Sequence, residues 1–313
     1  MKNKIIVLII LVSLLFGTVN YLNDDECQNK MGKYQELVQT VTGFFQSTFI
    51  PVYRVNDIPE KDNPANKDYL RNRIHQETTN GKLTVLSWNI LRNYNGEEIK
   101  ESFTRIMEEQ NPSLILIQEA PVYDESAFYD NDYFTGFNVY YAPLHQVRNQ
   151  TVFYNFAHSG QLTLSRYPFA KTETYQLPSV SRQFLGDNHV IKRLALYTQV
   201  QTEDGRTVGI YNVHLENAAW QSGRRKQLEY LLEIIGQNND DVVLVGGDFN
   251  TFLGGLEQGI SVLERSGFKK LLSDFRFTPR LDHLLVRGSK GTGLQLHGSG
   301  SDHQPVMANL HLK

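Results

Sequence analysis

The segment VLVGGDFNTF, Val243 to Phe252, constrains the fold of this chain more than any other stretch. An apolar, β-branched run leads into Gly246-Gly247, and Asp248 and Asn250 follow with one residue between them. Such a run reads as a buried strand, and the glycines let the backbone turn sharply or approach a ligand closely. Asp248 and Asn250 then stand where a core strand ends, two residues apart, so their side chains can point the same way. A carboxylate beside a carboxamide at a strand end suits a hard divalent cation and a phosphoryl oxygen. The same residues also make an ordinary Asp/Asn turn, and the segment alone does not separate the two readings.

From Gly81 onward the chain supplies the sheets such a strand needs. Predicted strands cover 83–91, 114–118, 138–142, 161–165, 194–202, 207–214, 242–245, 283–286 and 305–312, with helices over 97–109, 223–235 and 254–266. The Asp204-Gly205 step between two of the strands is a hairpin signal. Hairpins mixed with helices predict an α/β class: a four-layer α/β sandwich, two packed, mixed and mainly antiparallel sheets flanked by helices. With 313 residues, 40% of them hydrophobic and 11% aromatic, the chain can bury a real core. A formal charge of −3 provides no global basic field for nucleic acid or anionic lipid, though a local basic groove remains open. The single Cys27 rules out an internal disulfide framework and a cysteine-rich zinc site.

Lys2 and Lys4 precede the apolar stretch Ile5–Phe16, broken only by Ser13 and extended weakly to Leu22, and Asp24, Asp25 and Glu26 follow. The positive start, apolar middle and acidic far side resemble an export signal. A bilayer needs about 20 residues, and no A-x-A-like cleavage site is visible, so residues 1–26 are expected to be a membrane anchor or a signal peptide. The catalytic part is then expected outside the cytoplasm, tethered to the membrane, or secreted or periplasmic if the segment is cleaved. Residues 27–80 read as a stalk or linker, with an amphipathic helix over 31–49 and a polar stretch at 56–67. Residues 81–313 form the main domain, expected as a monomer.

The predicted strands end in polar residues: Asn89, Gln118-Glu119, His214 with Glu216 and Asn217, Asp282 at the head of 283–286, and Asp302-His303 before the last strand. Each has a plain explanation as a cap, a solvated strand end, a satisfied histidine or an exposed turn. Together they are the residue types that a metal-assisted phosphoester site requires.

The segments LSWNI, LIQEA, SGQLTLSRYP, YNVHLEN, GGDFNTF, LDHLLV and GSDHQPV, in this order, resemble the endonuclease/exonuclease/phosphatase superfamily. This is the magnesium-dependent, DNase I-like fold also used by AP endonucleases, neutral sphingomyelinases and inositol-polyphosphate 5-phosphatases. The resemblance covers about residues 81 to 313 and implies roles for the matched positions. Asn89, Glu119 and Asp302 would hold Mg²⁺, with Mn²⁺ an alternative, and Glu119 would be the principal ligand. His214 would hydrogen-bond a phosphate oxygen. Asp248 would orient or deprotonate the attacking water, and Asn250 would steady it. His303 would act as an acid/base or phosphate-stabilising group, oriented by Asp282. Whether Asp248 or His303 is the general base stays open.

The residues around these motifs narrow the substrate. Val245-Gly246 and Arg280-Leu281-Asp282-His283 lack the tryptophans that the 5-phosphatases would carry there, and Thr251–Gly254 lacks the histidine of AP endonucleases. A tyrosyl-DNA phosphodiesterase would act inside cells, against the export signal. A phosphodiesterase acting on nucleic acid or a phospholipid headgroup is therefore expected. A phosphomonoesterase of the same fold and a non-catalytic phosphate-binding module are the alternatives. Arg224, with Arg225 and Lys226, opens the helix after VHLEN and is a phosphate-binding candidate, or one edge of a solvated face. Tyr129, Tyr133 and Phe134 stack on bases, dip into lipid, or pack their own loop.

Overall fold

The computed structural model describes residues 56–57, 68–72, 79, 81–91, 96–122, 127–146, 158–180, 193–217, 221–251, 258–272 and 281–312. The predicted anchor at 1–26 and helix at 31–49 lie outside the described residues. In chain order the elements are β1 (Asn56–Asp57), β2 (Tyr69–Arg71), β3 (Lys82–Asn89), α1 (Gly96–Gln110), β4 (Leu114–Val122), β5 (Asn138–Gln146), β6 (His158–Ser165) and β7 (Lys171–Leu177). They continue with β8 (Arg193–Gln201), β9 (Thr207–His214), α2 (Gln221–Asn238), β10 (Val242–Asp248), α3 (Gln258–Arg265), β11 (Lys269–Lys270), β12 (Asp282–Arg287), β13 (Lys290–Gln295) and β14 (Val306–His311).

Among the described residues these strands make an eight-stranded sheet, ordered β1-β5-β6-β4-β3-β14-β13 with β2 also on β5, and a six-stranded sheet, ordered β11-β12-β10-β9-β8-β7. Each has one parallel pair at its centre, β3 with β4 and β9 with β10; the other named pairs are antiparallel. Parallel neighbours need a crossover, and α1 and α2 provide it, so each sheet carries a βαβ unit at its middle. These central strands carry the candidate polar residues at or near their carboxyl ends, where open α/β sheets usually bind ligands.

The strand alternation accounts for the layering. Leu83, Val85, Leu114 and Leu116 of the first sheet pack with Leu196, Val208, Ile210, Val242 and Leu244 of the second in one buried cluster. The intervening residues face outward: Leu86, Trp88, Ile115 and Ile117 meet Ile99, Phe103 and Ile106 of α1. Tyr211, Val213, Val243 and Val245 meet Leu228, Leu231 and Ile234 of α2 and Ile260 and Leu263 of α3. Helix, sheet, sheet and helix thus enclose three apolar layers, the expected four-layer sandwich. Burial of each such aliphatic side chain contributes about 1.5–3 kcal/mol, and central strands covered on both faces read as continuous apolar runs.

Several elements differ from the sequence expectation. The predicted strand 114–118 continues to Val122 through a bulge between Ile117 and Ala120. β7 and β13, KTETYQL and KGTGLQ, were not expected as strands: they form sheet edges, half exposed, with polar residues where a buried strand carries aliphatics. Within the 27–80 segment, β1 and β2 pair with β5 and extend the first sheet. Phe134 is buried and, with Tyr133, packs around Phe103 of α1 and Phe128, while the buried Tyr129 stacks on Tyr69 and meets Tyr141, so these rings pack against the fold.

Candidate active site

Asp248 is the meeting point of the polar strand ends and is 1% exposed. The parallel register of β9 and β10 sets His214 beside it, and the antiparallel register of β10 and β12 sets Asp282 opposite it. Gly247 permits this close pairing: its φ is +139°, and a Cβ there would lie 1.9 Å from the carbonyl oxygen of Val213. Beyond the strand, the Asn250 backbone N–H donates to Asp248 Oδ1 at 2.8 Å, closing an Asx turn. Asn250 sits at φ +51°, and its Nδ2 donates to the Leu215 carbonyl at 2.9 Å, which ties the turn to the end of β9. The Asp/Asn turn expected of GDFN is therefore present, and it stands at the point where the polar strand ends meet.

The first sheet contributes from across the sandwich. Asn89 Nδ2 donates to Asp248 Oδ2 at 2.9 Å, while its Oδ1 accepts the Leu91 N–H at 3.0 Å. His214 Nε2 lies 3.3 Å from the same Asp248 oxygen. His303 arrives on the turn before β14, held by Trp88 Nε1 donating to its carbonyl and by Ser301 Oγ donating to the Asn89 carbonyl. The His303 Nδ1 lies 2.7 Å from Asp282 Oδ2, leaving Nε2 3.8 Å from Asp248 Oδ2 and 3.8 Å from Asp302 Oδ1. Asp302 stands at the rim with its side chain 66% exposed.

Glu119 occupies the β4 bulge with φ +58°, a left-handed conformation that costs a non-glycine residue about 1–2 kcal/mol. Its neighbour Gln118 pairs in register with Asn89 and accepts the Ile90 N–H on its carbonyl, so Glu119 follows directly on the strand beside Asn89.

Burial, with the Asp282 carboxylate nearby, pushes the Asp248 carboxyl up to about 7 against the opposing effects of His303 and Asn89. For His303, burial opposes the charged ring. The hydrogen bond and charge of Asp282, followed by the charges of Asp248 and Asp302, outweigh that and raise it to about 10. One acid near neutrality thus faces one histidine held protonated at neutral pH.

The ligand atoms of Asp248, Asp282 and His303 lie within 4.8 Å of one another and are spaced to hold a cation. The 2.7 Å bond between the last two occupies His303 Nδ1 and Asp282 Oδ2. Asn89, Glu119 and Asp302 also carry side-chain oxygens, the donor type that hard divalent cations take.

Arg224 is 4% exposed on the buried side of α2, and its Nη1 donates to the Glu216 carbonyl at 3.4 Å, bracing the chain just past His214. Glu216 itself pairs with the buried Arg193. The structure therefore brings together Asn89, His214, Asp248, Asn250, Asp282 and His303, with Asp302 at the rim. Two residues that the sequence reading passed over complete the frame. Ser301 bridges the His303 turn to β3, and Thr251 Oγ1 meets the buried His283 Nε2 at 2.8 Å. Their adjacency to Asp302 and Asn250 was a signal; their partners, distant in sequence, were not.

The same architecture recurs in solved structures. The human nocturnin catalytic domain aligns at TM-score 0.57 and 17% identity over 80% of this chain and 99% of its own. An endonuclease/exonuclease/phosphatase from Beutenbergia cavernae aligns at 0.57 and 16%, over 74% and 72% of the two chains. A mannosyl-6-phosphatase of Bacteroides thetaiotaomicron aligns at 0.52 and 14%, over 73% and 99%. A UPF0294 protein of Vibrio campbellii is 24% identical over 74% of this chain and 78% of its own length. The Endonuclease/Exonuclease/phosphatase family model matches residues 86–303, from within β3 to His303. That match spans well over half of the chain, which belongs to the endonuclease/exonuclease/phosphatase family.

Proposed function

We propose that the chain is a Mg²⁺-dependent phosphodiesterase that cleaves nucleic acid or a phospholipid headgroup outside the cytoplasm. The observation that carries this reading is the convergence on one carboxylate: Asn89, His214 and His303 all approach Asp248 Oδ2, and Asp282 holds the far side of the His303 ring.

In this reading Asp248 takes a proton from water as the water oxygen attacks phosphorus; an acid near 7 is matched to that task. Asn250 and Asn89 hold the Asp248 carboxylate and the water in line. His214 donates to a phosphoryl oxygen. His303, protonated at neutral pH, gives its proton to the leaving oxygen as the ester bond breaks, and Asp282 fixes its tautomer. Glu119, Asn89 and Asp302 would hold Mg²⁺, which would supply neutralisation of the charge on the phosphoryl oxygens. Residues 1–26 tether the domain at, or export it across, the membrane.

The test is a panel of plasmid DNA, RNA, sphingomyelin and phosphatidylinositol phosphates offered to the full chain with Mg²⁺ and with EDTA. One class should be cleaved with Mg²⁺ alone, and Asp248→Ala should abolish the cleavage; activity retained by that variant would sink the mechanism. Protease accessibility in intact cells tests the location. A phosphomonoester is the second reading, since a mannosyl-6-phosphatase has the same fold. Release of inorganic phosphate alone across the panel would favour it.

A further inference from the structure

We infer that Asn212 is a positioning residue: a buried amide bolt between the two sheets that holds the β4 bulge carrying Glu119. The inference rests on the reading that Glu119 holds the metal.

On β9, Val208 and Ile210 point into the core between the sheets, and Asn212, fully buried, continues that face two residues before His214. A carboxamide in an apolar layer is costly unless its donors and acceptor are met. Here they are met by the other sheet. Nδ2 donates to the carbonyls of Ile117 at 3.2 Å and Leu162 at 2.9 Å, spending both amide protons. Oδ1 accepts Gln118 Nε2 at 2.8 Å, and the Asn212 carbonyl accepts Gln161 Nε2 at 3.1 Å.

These partners lie at the bulge. Ile117 and Leu162 are the last paired residues of β4 and β6 before the register shifts, and Gln118 and Glu119 are the bulged residues. Gln118 continues the inter-sheet face of Leu114 and Leu116 and is fully buried there, while Glu119 takes its left-handed conformation. A strained, partly buried acid persists in one geometry only when its surroundings over-determine it. Asn212 does so with three bonds from a rigid central strand, and the same strand carries His214. The bolt therefore sets the distance between a donor of the second sheet and a ligand of the first.

The experiment compares full-length wild type with Asn212→Leu, which keeps the branched shape and removes the amide, and with Leu231→Ala, a core truncation on the buried face of α2. Mg²⁺ affinity is measured by calorimetry, and metal-free hydrogen exchange is followed in peptides spanning 82–91 and 114–122. Asn212→Leu should weaken Mg²⁺ binding about 10–100-fold, as loss of a ligand's support does, and raise exchange in both peptides. Leu231→Ala should match the loss in melting temperature yet leave Mg²⁺ affinity within about twofold. Wild-type Mg²⁺ affinity and exchange in Asn212→Leu, or an equal loss of affinity in Leu231→Ala, would overturn the inference. If wild type binds no divalent metal, the metal-dependent reading falls, while the exchange comparison still decides whether Asn212 holds the bulge. Should Asn212→Leu not fold, Gln118→Leu removes one arm of the bolt, and the same outcomes apply.

Discussion

His303 Nδ1 and Asp282 Oδ2 lie 2.7 Å apart, and they meet because β12 pairs with β10 in the one register that sets Asp282 opposite Asp248. A slip by one residue would turn Asp282 to the other face of the sheet and leave His303 without its carboxylate. The pair is thus a product of sheet register as much as of residue identity.

Replacing Asp282 tests that pair. Asp282→Asn keeps the shape and removes the charge, so His303 loses the main support for its proton and its tautomer. Hydrolysis is expected to fall by about 10²–10⁴-fold, and the ring should titrate lower by NMR than in wild type. Unchanged titration of His303 would refute the relationship.

The same pair predicts how stability follows pH. His303 binds its proton more tightly in the fold, up to about 10 against an ordinary 6.5. Its contribution is fully present below pH 6.5 and is lost as pH rises through about 10. Metal-free wild type should therefore lose urea stability across that window, and His303→Gln should lose less. Equal slopes in the two proteins would contradict the assignment.

Metal linkage gives a readout independent of substrate. An ion bound to the folded state alone stabilises it by about 2.7 kcal/mol at one hundred times its dissociation constant. Mg²⁺ should raise the melting temperature of wild type, and EDTA should reverse the rise and stop hydrolysis. Glu119→Gln should abolish the shift at little cost to metal-free stability; a full Mg²⁺ shift in that variant would remove Glu119 from the ligand set.

Gly247→Ala probes the approach of β9 to β10. The added methyl would sit 1.9 Å from the Val213 carbonyl oxygen at φ +139°, which the strands relieve only by parting. A loss of about 3 kcal/mol or more in urea unfolding is expected, together with loss of activity, because His214 and Asp248 are register partners on those strands.

Much of the site was legible in order along the chain. The run into Gly246-Gly247-Asp248 is buried on both faces, and its apolar sequence shows it; the 207–214 strand was bounded correctly because Asp204-Gly205 punctuates it. β7 and β13 were not legible, since edge strands bury little and carry Lys, Thr, Glu and Gly. Arg224 shows a different limit. Its place at the start of a helix is written in the sequence, but helical phase against the sheet turned it inward to the Glu216 carbonyl.

By itself the sequence determined which residues stand at strand ends, because local periodicity and glycine placement act within a few residues. It also named the family, because seven short motifs in order carry that much information. Only the tertiary structure decided what those ends do to one another. Crossing from sheet to sheet, Asn89 reaches Asp248, Asn212 reaches Ile117 and Leu162, and His303 reaches Asp282, while within the first sheet Trp88 bonds the His303 carbonyl. Their separations in sequence run from 21 to 215 residues. Contacts of that kind depend on strand register and on the stacking of two sheets, and no local pattern encodes either.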